Sequence, residues 1–181
     1  MRSTRTSNET TASKRATLAG MEVLLVRHGE AVDAAEASSD HDRWLTSAGR
    51  RTVTAVGEML TRIDLRYTVI YTSPLVRAVQ TAEILAATQP GFEGPVRVHR
   101  PLSTGEGTTA QALSPIDEAR PEDVLVMVGH MPKIGVLATQ LGRLAHAPAF
   151  GTSSAYLVTV EGGMGRAAWM LDPRTLELRR F

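Results

Sequence analysis

The chain has 181 residues, 43% of them hydrophobic, which suits one domain with a real core and excludes a disordered polymer. A formal net charge of +1 excludes a global field of the nucleic-acid-binding kind, and no apolar run approaches the ~20 residues of a membrane span. There is no cysteine, so disulfides, thiolate nucleophiles and cysteine metal sites are excluded together.

Met1 to Gly20 is rich in Ser, Thr and basic residues, with Arg2, Arg5, Lys14 and Arg15 against Glu9 alone. It reads as a disordered basic tail without the apolar core of a signal peptide, and a cytoplasmic protein is the resulting expectation. Residues 21–181 are expected to form a single domain. Glu22 to Arg27 (EVLLVR) is a short apolar run that stops at His28-Gly29 and reads as a buried strand. Ala31 to Trp44 is polar and reads as a loop. Thr46 can cap a helix running to about Ile63, because Val53, Val56, Leu60 and Ile63 recur at intervals of three and four.

Tyr67 to Thr72 predicts a second strand. Ser73-Pro74 predicts a helix start, with Ser as N-cap and Pro in the first turn, and Leu75, Val79, Ala82, Leu85 and Ala86 as its buried stripe. Gly91 to Gly94 reads as a turn and Val96 to His99 as a strand. Pro101 to Arg120 holds Gly105 and Gly107, then one short helix at Thr109 to Leu113 and another between Pro115 and Ala119. Val124 to Val128 (VLVMV) is a clear buried strand ending at Gly129-His130, and Pro132 opens a helix to about Leu144. Ala155 to Val160 and Arg166 to Met170 read as a hairpin joined by Glu161-Gly162-Gly163-Met164-Gly165. No internal repeat is visible. This order predicts an α/β fold: a three-layer α/β/α domain with a mostly parallel central sheet, helices on both faces and an antiparallel C-terminal hairpin at the edge.

In such sheets the ligand crevice lies beyond the carboxyl ends of the strands. Arg27-His28 ends the first strand, Arg77 lies in the first turn of the helix after Ser73-Pro74, and His130 ends the VLVMV strand. If these strands are parallel neighbours, all three features share one crevice, where helix N-termini favour an anion. The side chains then select a phosphate. Arginines grip its oxygens through charge-assisted bonds, and a neutral histidine can attack phosphorus through a ring nitrogen. Gly29 is expected to let the backbone approach the phosphoryl group. No cofactor and no metal is called for.

Arg27-His28-Gly29-Glu30 resembles the signature of the histidine phosphatase superfamily, which includes the phosphoglycerate mutases. Residues 73–82, from Ser73 through Arg77 to Ala82, resemble its second block, and Val128-Gly129-His130 its third. The resemblance implies a phosphohistidine intermediate on His28, phosphate binding by Arg27 and Arg77, and His130 beside the transferring group. Arg43-Trp44-Leu45-Thr46, Leu102-Ser103-Thr104-Gly105 and Phe150 to Ala155 are similar to segments of the SixA-type phosphohistidine phosphatase branch, which adds Arg43 to the phosphate-binding set. Only about fifty residues separate Arg77 from His130, too few for the helical insertion that covers the site in the mutases. An open site suits a phosphorylated side chain on another protein, so a protein phosphohistidine is the expected substrate, with a small phosphate ester as the alternative. A binding module without turnover ranks below both. The resemblance also calls for a carboxylic acid to protonate the leaving group. Glu106 is the candidate and Glu30 a second, although Glu30 is better placed to shape the loop after His28.

The remaining polar residues receive plainer assignments. The five histidines show no metal-binding spacing. His41, His99 and His146 read as structural or surface residues, and Asp40 is expected near the site mouth because its loop precedes Arg43. Gly105-Glu106-Gly107 is not a nucleotide fingerprint, and no P-loop or Gly-x-Ser-x-Gly elbow occurs. Ser153 and Ser154 could bond phosphate or simply form a turn. No nucleic-acid or membrane partner is expected, and a compact open-sited domain is expected to work as a monomer.

Overall fold

The structure is a computed structural model that describes residues 20–181. The predicted tail, apart from Gly20, lies outside the described residues. In chain order the elements are β1 (Met21–Arg27), α1 (Ser47–Arg62), β2 (Val69–Thr72), α2 (Val76–Thr88), β3 (Val96–Val98), α3 (Thr109–Asp117), β4 (Val124–Gly129), α4 (Lys133–Gly142), β5 (Ala155–Glu161), β6 (Met164–Leu171) and β7 (Leu178–Arg180). They build one seven-stranded mixed sheet in the order β3-β2-β4-β1-β5-β6-β7. The first four of that series run parallel, and β5, β6 and β7 add antiparallel pairs.

Alternation along buried strands divides the core in two. In β1, Leu24 and Val26 join Val53, Val56 and Leu60 of α1 and Ala78, Ala82 and Leu85 of α2. Val23 and Leu25 face the other way, against Ala112 of α3 and Ile134, Leu137 and Ala138 of α4. Period-two geometry sends neighbouring side chains to opposite faces, so a strand covered on both sides must be apolar throughout, as β1 and β4 are. Among the described residues no helix is long and apolar enough to cross a membrane.

Several boundaries differ from expectation. Pro115 lies inside one continuous helix, α3, rather than between two. Its ring leaves the carbonyl of Gln111 without the usual helical donor. The His99 Nε2 at 2.9 Å and the Ser114 hydroxyl at 3.0 Å supply replacements. α4 stops at Gly142 because Arg143 adopts a left-handed conformation with φ 53°. The C-terminal hairpin is tighter than predicted: Gly162 and Gly163, with φ 57° and 77°, form a two-residue turn that needs positive φ at both positions. β7 was not anticipated. Its three residues include two arginines and show no apolar alternation, and it takes the sheet edge beside β6.

Candidate active site

The register of β1 and β4 aligns Arg27 with Gly129, so the two strands finish level and His28 and His130 follow side by side. The His28 amide donates to the Gly129 carbonyl at 3.1 Å, and the two imidazole centroids are 4.7 Å apart, tilted by 50°. Nδ1 of His28 lies 2.7 Å from the Gly29 carbonyl oxygen. A carbonyl can only accept, so this bond puts the proton on Nδ1 and the lone pair on Nε2. His130 is held through Nε2 by the Ser73 hydroxyl at 2.8 Å, while its buried Nδ1 has no partner.

Ser73 therefore does a different job from the predicted one. α2 begins at Val76 with Leu75 as N-cap, and the Ser73 hydroxyl accepts from the Leu75 amide at 3.3 Å while it holds His130. Thr81, one helical turn after Arg77, is a second supporting group that the sequence reading passed over. Its hydroxyl donates to the Arg77 carbonyl at 2.7 Å and accepts from the Gly29 amide at 3.0 Å, so α2 fixes the backbone next to His28. Gly29 also has a packing role. A Cβ at Gly29 would meet Val53 Cγ2 at 2.7 Å and Leu45 Cδ2 at 3.1 Å, so the missing side chain admits α1 and its cap segment at that face.

Three arginines surround the imidazoles. Arg27 donates from Nη1 to the Phe150 carbonyl at 2.7 Å, and its buried Nε has no partner. Arg77, with a side chain only 6% exposed, donates from Nη2 to Asp40 Oδ2 at 3.0 Å and from Nη1 to the Asp40 carbonyl at 2.6 Å. Arg43 donates from Nε to the Val32 carbonyl at 2.7 Å and from Nη1 to Asp40 Oδ1 at 3.0 Å. The turn before β5 closes the back of the site. The Ser153 amide donates to the carbonyls of Arg27 and His28, both at 3.1 Å, and the Arg27 amide donates to the Ser154 carbonyl at 3.1 Å. Ser153 has φ 66° and a buried hydroxyl without a partner.

Burial, and then the nearby Arg77, Arg27 and Arg43, lower the His28 pKa to about 4 despite the opposing Gly29 bond. Burial, His28 and Arg77 lower that of His130 to about 3. Both rings are thus neutral at neutral pH. A free histidine in the unfolded chain titrates near 6.5. As pH falls below that value the unfolded state binds more protons than the native state, so stability present above about 6.5 declines until the native rings also protonate. Imidazole resonances followed by NMR should therefore show two histidines with no inflection near 6.5, titrating instead near 4 and 3. Inflections of both rings above about 6 would contradict this environment.

The two predicted acids have partners of their own. The Glu106 carboxylate pairs with Arg100 Nε at 2.9 Å, where both side chains are exposed. Its loop is pinned from beneath by Lys133, whose Nζ donates to the carbonyls of Pro101, Glu106 and Gly107. The Glu30 carboxylate accepts from the Thr46 hydroxyl at 2.8 Å and braces the start of α1, the loop-shaping role expected of it. Among the described residues no group of three or more His, Asp or Glu side chains could hold a metal ion. A broad groove beside β7, lined by Met59, Pro148, Met170 and Phe181 among others, contains none of the catalytic candidates.

Comparison with known proteins agrees with this geometry. Residues 23–103 match the family model of the histidine phosphatase superfamily, branch 1. The chain is 38% identical over 146 residues to an uncharacterized protein of Picosynechococcus sp., covering 80% of this chain and 82% of that one. It is 27% identical over 175 residues to the phosphohistidine phosphatase SixA of Escherichia coli, covering 88% of this chain and 99% of the relative. The fold superposes on the solved structure of the protein histidine phosphatase SixA complexed with tungstate with a TM-score of 0.79 at 26% identity, covering 87% of this chain and all 100% of that one. The chain belongs to the histidine phosphatase superfamily. Its activity is that of a phosphatase, and its α/β architecture is the one SixA shares. The four residues singled out from the superfamily motifs, Arg27, His28, Arg77 and His130, come together with Arg43 at one end of the parallel strands. The histidine phosphatase signature ends at Glu30, and here that residue serves the fold of the loop.

Proposed function

We propose that this phosphatase hydrolyses phosphohistidine on a protein substrate, without a metal, through a covalent phosphoryl intermediate on His28. The observation that carries the reading is the 2.7 Å bond from His28 Nδ1 to the Gly29 carbonyl, which leaves Nε2 of a neutral ring with its lone pair. Nε2 attacks phosphorus, the bond from phosphorus to the substrate imidazole breaks, and that imidazole leaves with the electron pair. Water then attacks the phosphoryl group on His28, and inorganic phosphate departs as the His28 ring is regenerated. Charge spreads over the equatorial oxygens during both transfers. Arg27, Arg43 and Arg77 supply fixed positive charge there, and His130, with its unpartnered Nδ1, supplies a further polar atom.

Leaving-group chemistry favours phosphohistidine over an alkyl phosphate. An alkoxide needs a proton as it departs, whereas an imidazole can take one from water on its distal nitrogen. The Asp40 carboxyl is held below the ordinary carboxylate range, chiefly by its bond from Arg43, with Arg77 adding to it, so it is a poor proton donor. The Glu106 carboxylate is engaged by Arg100 rather than by a group of the site. The mouth is also accessible: the side chains of Asp40 and Arg43 are 59% and 26% exposed. A monomer acting in the cytoplasm remains part of this reading. The SixA relatives, which are named as phosphohistidine phosphatases, lend it support.

The test compares a phosphohistidine-bearing protein with a panel of sugar and glycerate phosphates. A kcat/KM at least about tenfold higher for the phosphoprotein is expected. A smaller ratio would move the assignment to small phosphate esters.

A further inference from the structure

Asp40 was expected merely near the mouth of the site, but its two carboxylate oxygens are divided between two arginines from different elements. Oδ1 accepts from Arg43, carried by the loop before α1, and Oδ2 from Arg77, carried by α2, each at 3.0 Å. The Asp40 carbonyl takes a second bond from Arg77 at 2.6 Å, so a single residue grips both terminal nitrogens of that guanidinium. The turn around it is braced in its own right. The hydroxyls of Ser38 and Ser39 donate to Asp42 Oδ2 at 2.6 and 2.7 Å, and the Val76 amide at the start of α2 donates to the His41 carbonyl at 3.1 Å.

An exposed ion pair of this type ordinarily adds little to stability. The difference here lies in the partner. The Arg77 side chain is 6% exposed, and a guanidinium withdrawn from water to that degree needs a fixed acceptor to hold one orientation. Asp40 engages two of the five N–H groups of Arg77 and one of those of Arg43. The other hydrogens of both forks therefore keep a set direction instead of sweeping through rotamers.

We propose that Asp40 is a positioning residue whose carboxylate yokes Arg43 to Arg77 and sets the two guanidinium planes that receive the phosphoryl oxygens. This rests on the reading that those arginines bind the transferred group. Asp40 itself neither gives nor takes a proton in the reaction. A carboxylate on the rim thus stands among the groups that set the rate at a centre built to attract anions.

The experiment uses the full chain and a chromogenic phosphate ester, with Asp40→Ala and Asp40→Asn compared by kcat, KM and inhibition by inorganic phosphate. Asp40→Ala is expected to lower kcat/KM by about tenfold or more and to weaken phosphate inhibition, while its thermal midpoint stays close to that of the parent. Asp40→Asn should fall between, because its amide keeps an acceptor toward one guanidinium and turns a donor toward the other. Sodium formate, a small carboxylate, should restore the Ala variant by about threefold or more at concentrations that only inhibit the parent. An Ala variant within about twofold of the parent, tighter phosphate binding in that variant, or a loss that formate does not relieve would each overturn the proposal. His28→Ala is assayed in parallel. If it is inactive while Asp40→Ala is unimpaired, Asp40 alone has been misassigned. If it stays within about tenfold of the parent, the proposed function itself fails.

Discussion

His28→Ala is expected to lower kcat/KM by at least about 10³-fold on phosphohistidine protein and chromogenic ester alike. Substitution removes the Nε2 lone pair, and nothing nearby can stand in for it. The neighbouring His130 ring is tied through its own Nε2 to Ser73. Water could still attack a phosphoryl group held by three arginines, which is why the expectation is a large loss with some residual activity rather than complete inactivity. Rapid quench with labelled substrate provides the direct readout. The parent should yield an acid-labile, base-stable phosphoryl group on His28, and the variant should yield none. Label on a serine or an aspartate would refute the nucleophile assignment. Folding is not the expected cause of the loss, because the groups that hold this segment are main-chain bonds from His28 to Gly129 and from Ser153 to His28, and these survive the change.

Arg77→Ala is expected to cost about 10²- to 10³-fold in kcat/KM, comparable to removing one preorganised donor of a transition-state oxyanion. Arg77 combines deep burial of its side chain with a position in the first turn of α2, where helix N–H groups add to its charge. Arg77→Lys should recover only a small part of the loss, since an ammonium cannot present the same planar fork. Steady-state kinetics with both variants, together with inhibition by inorganic phosphate, checks this. Equal loss in kcat and kcat/KM marks a group that acts chiefly in the transition state, whereas a rise in KM alone would assign Arg77 to ground-state binding. Activity of Arg77→Ala within about tenfold of the parent would remove it from the site.

The parts of the fold that were readable from sequence are those where local pattern and tertiary burial agree. β1 and β4 are apolar on both faces because both faces are covered, and Thr46 caps α1 through the Gly49 amide as its side chain suggests. β7 escaped because edge strands need no apolar period, and its short run of Leu178, Arg179 and Arg180 resembles any polar terminus. Pro115 misled because the rescue of the Gln111 carbonyl comes partly from His99, outside the helix. In the site, the residues with family motifs were legible and their supports were not. Ser73 looks like an N-cap when only its neighbours are considered, and its actual partner His130 lies on another strand. The packing need at Gly29 was not legible either, because Val53 and Leu45, which occupy the space a Cβ would take, are distant in sequence. The acid candidate Glu106 was chosen by its segment, and a local partner, Arg100, decides where its carboxylate goes.

The antiparallel half of the sheet has a practical corollary. β5 pairs with β1 so that Ala155 lies opposite Val26 near the imidazoles, while Val160 lies opposite Met21 at the far end. The Gly162–Gly163 turn and the point where the described chain begins at Gly20 therefore share the pole remote from His28, about 20 Å away along a seven-residue strand. A dye, an affinity handle or a bead attached at that turn leaves the pole that carries His28 facing outward. Immobilised enzyme should then keep the same ratio of activity on a bulky phosphoprotein to activity on a small ester as the free enzyme.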